Sequence, residues 1–361
     1  MRRVILAATV AVSMSSLSSL SGLSLGVIVH AADDLVLTRF GDYLDSLRTQ
    51  AGIPGLAATI VGPAEVQWER AFGQQNIERA IPARPDTPFH LDALTQLLTA
   101  SMILRCVEEG RLSLDDRIGA YAPDAVDPNA TLRQLLTHTS GGADSRVFAY
   151  RPERLDSLAP AVSACSGDSY RSSLASMLDR LAMSDSVPGP DVVQLIPPPN
   201  GFPPATIERY RSVLGRLATP YAVDLQGRAS PSRYVATTLT AASGLVSTAR
   251  DMAKFDLALK KGVLLRAETI ADAWTAPLGR LGQRLPHGIG WFVQSYAGEP
   301  VVWQFGAGDN GSSSMVITLP RRGLTLILLA NSDGLAKSFA LAAGDLTVSP
   351  FGRLFLGIFV R

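Results

Sequence analysis

The segment from Ala93 to Glu109, ALTQLLTASMILRCVEE, is of helical length, apolar nearly all round, and stopped by Gly110. A helix with no polar face has to be enclosed on every side. The chain must therefore build layers around this element, and it has the means. It has 361 residues, about two domains' worth of sequence, and 47% of them are hydrophobic against 18% charged. This is the composition of a globular protein. The net charge is +1 and no basic run interrupts the sequence. That balance leaves no electrostatic footprint for nucleic acid.

The N-terminus reads as an export signal over residues 1–31. Arg2 and Arg3 precede an uncharged, apolar and Ser-rich stretch from Val4 to Val29, and Val29-His30-Ala31 supplies a small-residue cleavage pattern. Uncleaved, the stretch is long enough to span a bilayer. Its serines and the cleavage pattern favour removal near Ala31, which leaves the mature chain without a stable membrane span. No cysteine follows that could carry a lipid. Export into an oxidising compartment would allow Cys106 and Cys165 to pair. The alternative is two small buried hydrophobes, and the sequence alone does not choose between them. No third cysteine is present, and His30, His90, His138 and His287 are dispersed, so neither a metal site nor another cofactor is expected.

Leu35, Phe40, Tyr43, Leu44 and Leu47 recur at helical spacing, ending at Ala51-Gly52-Ile53-Pro54. Gly55–Val61 and Val66–Phe72 read as a strand pair around Gly62-Pro63. Helices are expected near Leu132–Thr137, Leu155–Ser163, Ser172–Leu181 and Thr248–Leu259, the last with Thr248 and Asp251 at capping-box spacing. Ile289–Gln294, Val301–Phe305, Ser314–Leu319 and Leu324–Ala330 read as strands, each bounded by Gly, Pro or Asn. Pro188–Pro204 reads as a loop, and the apolar tail Leu354–Val360 as a final core strand. Strands at both ends with helices between them predict an α/β fold. Residues 33–90 and 285–361 would form a mainly antiparallel sheet closed by the two terminal segments, with residues 91–284 an inserted, mainly helical region.

Several motifs along this frame resemble those of the serine β-lactamase-like family, the class C, D-aminopeptidase and esterase branch of the penicillin-binding-protein-like hydrolases. Thr87-Pro88-Phe89 leads into the helix, and Glu109 to Asp116 is similar to the family's following turn. Leu135-Leu136-Thr137-His138-Thr139-Ser140-Gly141-Gly142, Ser243 to Ala253, and Leu329-Ala330-Asn331-Ser332-Asp333 resemble later landmarks in the same order. The resemblance implies the β-lactamase/transpeptidase-like fold.

It also implies where a catalytic site would stand. The family transfers acyl groups through a Ser whose proton is taken with help from a Lys one helical turn later. Here those positions carry Ala93 and Gln96. A methyl group cannot attack a carbonyl, and a neutral amide cannot serve as a base. The chain has four lysines, Lys254, Lys260, Lys261 and Lys337, and three residues before them stand Asp251, Leu257, Ala258 and Gly334. No Ser-x-x-Lys exists in any register. The family's Tyr-x-Asn corresponds to Tyr150-Arg151-Pro152, which keeps the phenol and lacks the amide. Its Lys- or His-containing strand triplet corresponds to Gln304-Phe305-Gly306, where Gly306 would let a substrate lie close to the strand.

The sequence thus predicts a secreted relative of serine hydrolases with no intact catalytic set. It would keep a cleft for a cell-wall peptide or small carbonyl ligand, or bind a protein partner. One rival expectation is a hydrolase using a non-standard residue, Tyr150 or Thr95, with Asp92 also adjacent to the lost nucleophile. Another is a scaffold with no ligand in the cleft. His138 reads as a structural turn residue.

Overall fold

The sheet runs through the middle of the molecule, and both ends of the chain contribute strands to it. The structure is a computed structural model describing residues 21–141, 146–195, 202–235 and 237–360, with side chains from Leu35 onward. Helix α1 (Ser21–Gln50) contains the expected Leu35–Leu47 helix and runs without interruption through Ala31. The remainder of the expected export signal, residues 1–20, lies outside the described residues. Among the described residues no helix is long and apolar enough to cross a membrane.

Strands β1 (Gly55–Val61), β2 (Val66–Asn76) and β3 (Ile81–Pro82) follow. After β4 (Phe89–His90) and a short 3-10 turn at Asp92–Leu94, α2 (Thr95–Glu108) begins. The middle of the chain supplies α3 (Leu132–Leu136), α4 (Ala159–Ser166), α5 (Tyr170–Arg180), β5 (Val187–Pro188) and α6 (Pro204–Leu214). It continues with β6 (Tyr221–Val223), β7 (Ala229–Pro231), β8 (Leu245–Ser247), α7 (Ala249–Lys260) and α8 (Ala267–Ala273). The last third holds β9 (Phe292–Tyr296), β10 (Glu299–Gly308), β11 (Ser312–Leu319), β12 (Leu324–Ala330) and α9 (Pro350–Phe359).

The main sheet has the order β3-β2-β1-β12-β11-β10-β9, antiparallel throughout. The two terminal segments meet where β1 pairs with β12, in register from Leu56↔Ala330 to Val61↔Thr325. Strands β1 and β11 are buried along their whole length. This is what covering both faces of a sheet requires, and it explains the predominance of apolar residues along β1 and in β11 from Met315 onward. On one face, Phe40 and Leu44 of α1 and Phe351 and Phe355 of α9 pack over Leu56, Ile60, Trp303, Ile317 and Leu328. On the other, α2 sits at the centre of the helical region, with Leu97, Leu98 and Ile103 against Val302, Val316, Ile327 and Leu329. Helix α2 is enclosed from Thr95 to Leu104, with Leu98, Ala100 and Ile103 fully buried, and only its last turn, with Arg105, Val107 and Glu108, reaches part way to the surface.

The tail departs from expectation. Leu354–Val360 is not a core strand but the greater part of α9, which ends at Phe359. Ser349 caps it, its Oγ accepting from the Gly352 N–H, and Pro350 opens the first turn. Phe351, Phe355 and Leu356 then fall on one helical face. The strand expected at Ile289 starts instead at Phe292, because Gly288–Trp291 closes a turn through the Gly288 N–H to the Trp291 carbonyl. Helix α6 is unexpected: it starts at Pro204, where the expected loop Pro188–Pro204 ends, and Pro204 stands in its first turn, where the missing N–H costs nothing. The breaker Pro197–Gly201 itself lies outside the described residues. Cys106 of α2 and Cys165 of α4 form a disulfide with a Cα–Cα distance of 6.2 Å, which resolves the alternative left by the sequence.

Candidate catalytic cleft

The chain reaches Ala93 through a strained entry. Asp92 has φ +49, a left-handed conformation that a non-glycine residue adopts only when its surroundings hold it there. Here they do. Ser312 Oγ donates to one carboxylate oxygen of Asp92 at 2.7 Å, and His90 Nδ1 lies 2.9 Å from the other. Ser314 Oγ donates to the Leu91 carbonyl at 2.7 Å, and Thr95 Oγ1 donates to the Asp92 carbonyl at 2.7 Å. The turn carrying Ala93 is thereby fastened to β11 on one side and to α2 on the other.

Strand β10 passes close beneath it. A Cβ built on Gly306 would lie 2.3 Å from the Leu91 carbonyl oxygen and 3.1 Å from the Ala93 nitrogen, and one on Gly308 would lie 2.5 Å from an Asp92 carboxylate oxygen. The space that glycine leaves at 306 is thus taken by the protein's own turn. Ala93 itself is half-buried, and its N–H belongs to the first turn of a helix, where amides lack intrahelical partners.

One turn along α2, Gln96 is fully buried and neither polar atom of its amide has a hydrogen-bond partner among the described residues. On β10, Gln304 is also fully buried. Its Oε1 accepts from the Phe305 N–H at 2.9 Å, and its Nε2 has no partner among the described residues. Tyr150 is half-buried with its hydroxyl enclosed and, among the described residues, unpartnered. Burial pushes its phenol far above the ordinary value. The nearby Gln96 amide acts in the opposite sense without completing a hydrogen bond, and burial prevails. The phenol stays protonated throughout the physiological range. Pro152 opens the 3-10 turn Pro152–Leu158 and offers no side-chain donor.

The Tyr150 ring is held by aromatic and imidazole neighbours: His138 at 4.6 Å, Phe292 at 5.2 Å and Phe305 at 5.5 Å between centroids. His138 has φ +53, the conformation of a turn residue. It grips the chain on both sides of Tyr150, its carbonyl accepting from the Ala149 N–H and its Nδ1 from the Arg151 N–H. Gly142, at the end of that motif, lies outside the described residues. Asp92 and Thr95 are equally committed. Thr95 Oγ1 is fully buried, donating to Asp92 and accepting from the Leu245 N–H at 3.2 Å, so it is not poised as a nucleophile.

Two parts of this arrangement escape sequence reasoning. The His90–Asp92–Ser312 link leaves no local signal, because Ser312 stands 220 residues from Asp92. Nor does the sequence single out His287, whose ring meets His138 at 4.6 Å, edge to face. His287 Nδ1–H donates to the Gly288 carbonyl at 2.7 Å. Burial, first, lowers both imidazoles, His287 to about 3 and His138 well below its usual value, and the His287 charge adds to the lowering at His138.

These shifts make stability depend on pH. A histidine held neutral in the fold but protonating near pH 6.5 when unfolded stabilises the fold fully above that pH. Its contribution is lost as pH falls toward the folded value. For His287 the window runs from about 6.5 down to about 3, at about 1.4 kcal/mol per pH unit. Urea denaturation at pH 6.5 and pH 5.0 is expected to show a loss of about 2 kcal/mol from His287 alone. His287→Gln is expected to flatten that dependence; an unchanged slope would remove His287 as its source.

The sequence pattern of the Beta-lactamase family matches residues 40–346, and the chain belongs to that family. Protein flp of Staphylococcus aureus (strain NCTC 8325 / PS 47) is 30% identical over 95 residues, which cover 25% of this chain. The match spans only 19% of that relative. Among solved structures, the octameric penicillin-binding protein homologue from Pyrococcus abyssi superposes with a TM-score of 0.68 at 21% identity, covering 89% of this chain and 77% of that one. The D-amino acid amidase from Ochrobactrum anthropi SV3 superposes with a TM-score of 0.66 at 18% identity, covering 89% and 99%. At these identities the likeness establishes the β-lactamase/transpeptidase-like fold.

Proposed function

We propose that this protein is an exported member of the Beta-lactamase family that has lost acyl transfer and keeps its cleft for binding a carbonyl ligand. The observation that carries the reading is Gln96. At the position of the family's base stands a fully buried, uncharged amide, beside the neutral phenol of Tyr150 and one turn from the methyl group of Ala93. None of these groups can form or activate a nucleophile. What remains is the Ala93 N–H beside strand β10, on a turn that four side chains hold in a strained conformation. Strain of this kind costs about 1–3 kcal/mol and is retained where surroundings enforce it. An amide so placed can donate to a carbonyl oxygen, but without a nucleophile it gives only residual rate enhancement.

The ligand class we favour is a peptide ending in D-amino acids, as in bacterial cell walls. The family resemblance and the likeness to a D-amino acid amidase support it. Export is supported by the signal pattern over residues 1–31 and by the Cys106–Cys165 disulfide, a bond of oxidising compartments.

Purified protein is expected to hydrolyse neither a chromogenic β-lactam nor a p-nitrophenyl ester above the uncatalysed background. Multiple turnovers that co-purify with the protein through successive columns would defeat the proposal.

A further inference from the structure

Between α8 and β9 the chain forms a small hairpin. The Leu285 N–H donates to the Pro277 carbonyl at 2.8 Å and the Gly279 N–H to the Gln283 carbonyl at 2.7 Å. The Gly282 N–H donates to the Gly279 carbonyl, and the Leu281 N–H to the Gln283 side-chain oxygen at 2.9 Å. Backbone and Gln283 thus close the turn without help from either leucine side chain at its tip. Yet Leu281 is 90% exposed and Leu278 is 60% exposed. A Cβ on Gly282 would meet nothing within 4 Å, so the tip stands clear of the body.

Single exposed leucines are ordinary. Two on one protruding tip, with exposed Arg280 and Arg284 beside them, form a wedge with an apolar point and a basic collar. From Ala276 to Trp291 the sequence holds no acidic residue, although acids and bases nearly balance along the chain, 32 against 33. Leu225, also fully exposed, is different: its turn is closed by Asp224, which pairs with Arg228 at 2.7 Å.

We propose that the hairpin 277–286 docks into an anionic phospholipid surface. The leucines enter below the headgroups, where burial of apolar area favours them, and the arginines meet lipid phosphates. Two leucines and two arginines give weak, reversible and salt-sensitive binding, so the hairpin orients the protein on a membrane without anchoring it. The inference is independent of the function proposed for the cleft.

A reporter at the tip tests it. Both native cysteines are in the disulfide, so a dye directed to a thiol labels Leu281→Cys alone. Because the signal is local, attachment through any other part of the chain leaves it unchanged. With vesicles of phosphatidylglycerol and phosphatidylcholine, an environment-sensitive dye at this position is expected to shift to the blue and brighten. The response should vanish with pure phosphatidylcholine and be lost in the Arg280→Glu/Arg284→Glu background. The same dye on Leu225→Cys should not respond. No shift at Leu281→Cys with anionic vesicles, or an equal shift with neutral vesicles or at Leu225→Cys, overturns the proposal.

Discussion

Replacing Cys106 and Cys165 together by alanine is expected to lower the stability of the protein by about 4 kcal/mol. The disulfide joins residues 59 apart in sequence, α2 to α4. A crosslink closing a loop of that length acts on the unfolded chain, removing roughly 4 kcal/mol of its conformational entropy. Both cysteines are buried beside Val162 and Met102 in the helical core, so alanine also forfeits some packing. Denaturant titration of the oxidised protein against the double variant measures the difference. Reduction of the native protein should reproduce most of it. A change below about 1 kcal/mol would mean that the helical region already restrains α2 and α4 in the denatured state.

The second large effect is expected at Lys260. Its ammonium lies 2.7 Å from the Asp256 carboxylate, and both side chains are about 10% exposed. It also donates to the carbonyls of Val61 and Gly62 at 3.1 Å, tying α7 to the end of β1. Burial raises the Asp256 pKa and lowers that of Lys260, while each partner opposes the shift of the other. Lys260→Met is therefore expected to cost about 3–5 kcal/mol, because it strands a buried carboxylate. The carboxylate would keep one bond, from Thr325 Oγ1 at 2.8 Å. Lys260→Met/Asp256→Leu removes both charges and should be more stable than the single variant, since an apolar pair of similar volume avoids the desolvation penalty. If the double variant were the less stable of the two, the ion pair itself would be the stabilising element.

Much of this fold can be read from the chain. Strands β1, β10, β11 and β12 announce themselves as largely apolar runs between Gly, Pro and Asn, β2 as the partner of β1 across the Gly62-Pro63 turn, and α2 as a helix apolar nearly all round. What fails is local. The tail Leu354–Val360 is too short and too apolar for its period to separate strand from helix. The Ser349 cap, Pro350 and the partner surface of α1 decide it. Helix α6 is hidden because it opens on Pro204, directly at the end of the proline-rich loop, where a proline reads as a breaker.

At the candidate site, the positions of Ala93, Gln96 and Tyr150 follow from motif order. The side chains that hold them do not. Asp92 looks like a stray acid in sequence; only the fold brings His90, Ser312 and the strand glycines to it. His138 and His287 likewise become a pair only when β9 is laid beside the turn after α3. Long-range partners of this kind leave no spacing signature, so a single sequence can show which groups a site lacks more readily than what keeps the site in shape.

The proposed loss of acyl transfer requires that no residue of this chain be acylated by a β-lactam. Incubation with a fluorescent penicillin, followed by denaturing electrophoresis, asks this directly, because a β-lactam leaves a covalent mark on an activated nucleophile without any need to know the natural ligand. No labelled band is expected at the mass of this protein. A band that survives denaturation and maps to any residue of the chain would contradict the loss.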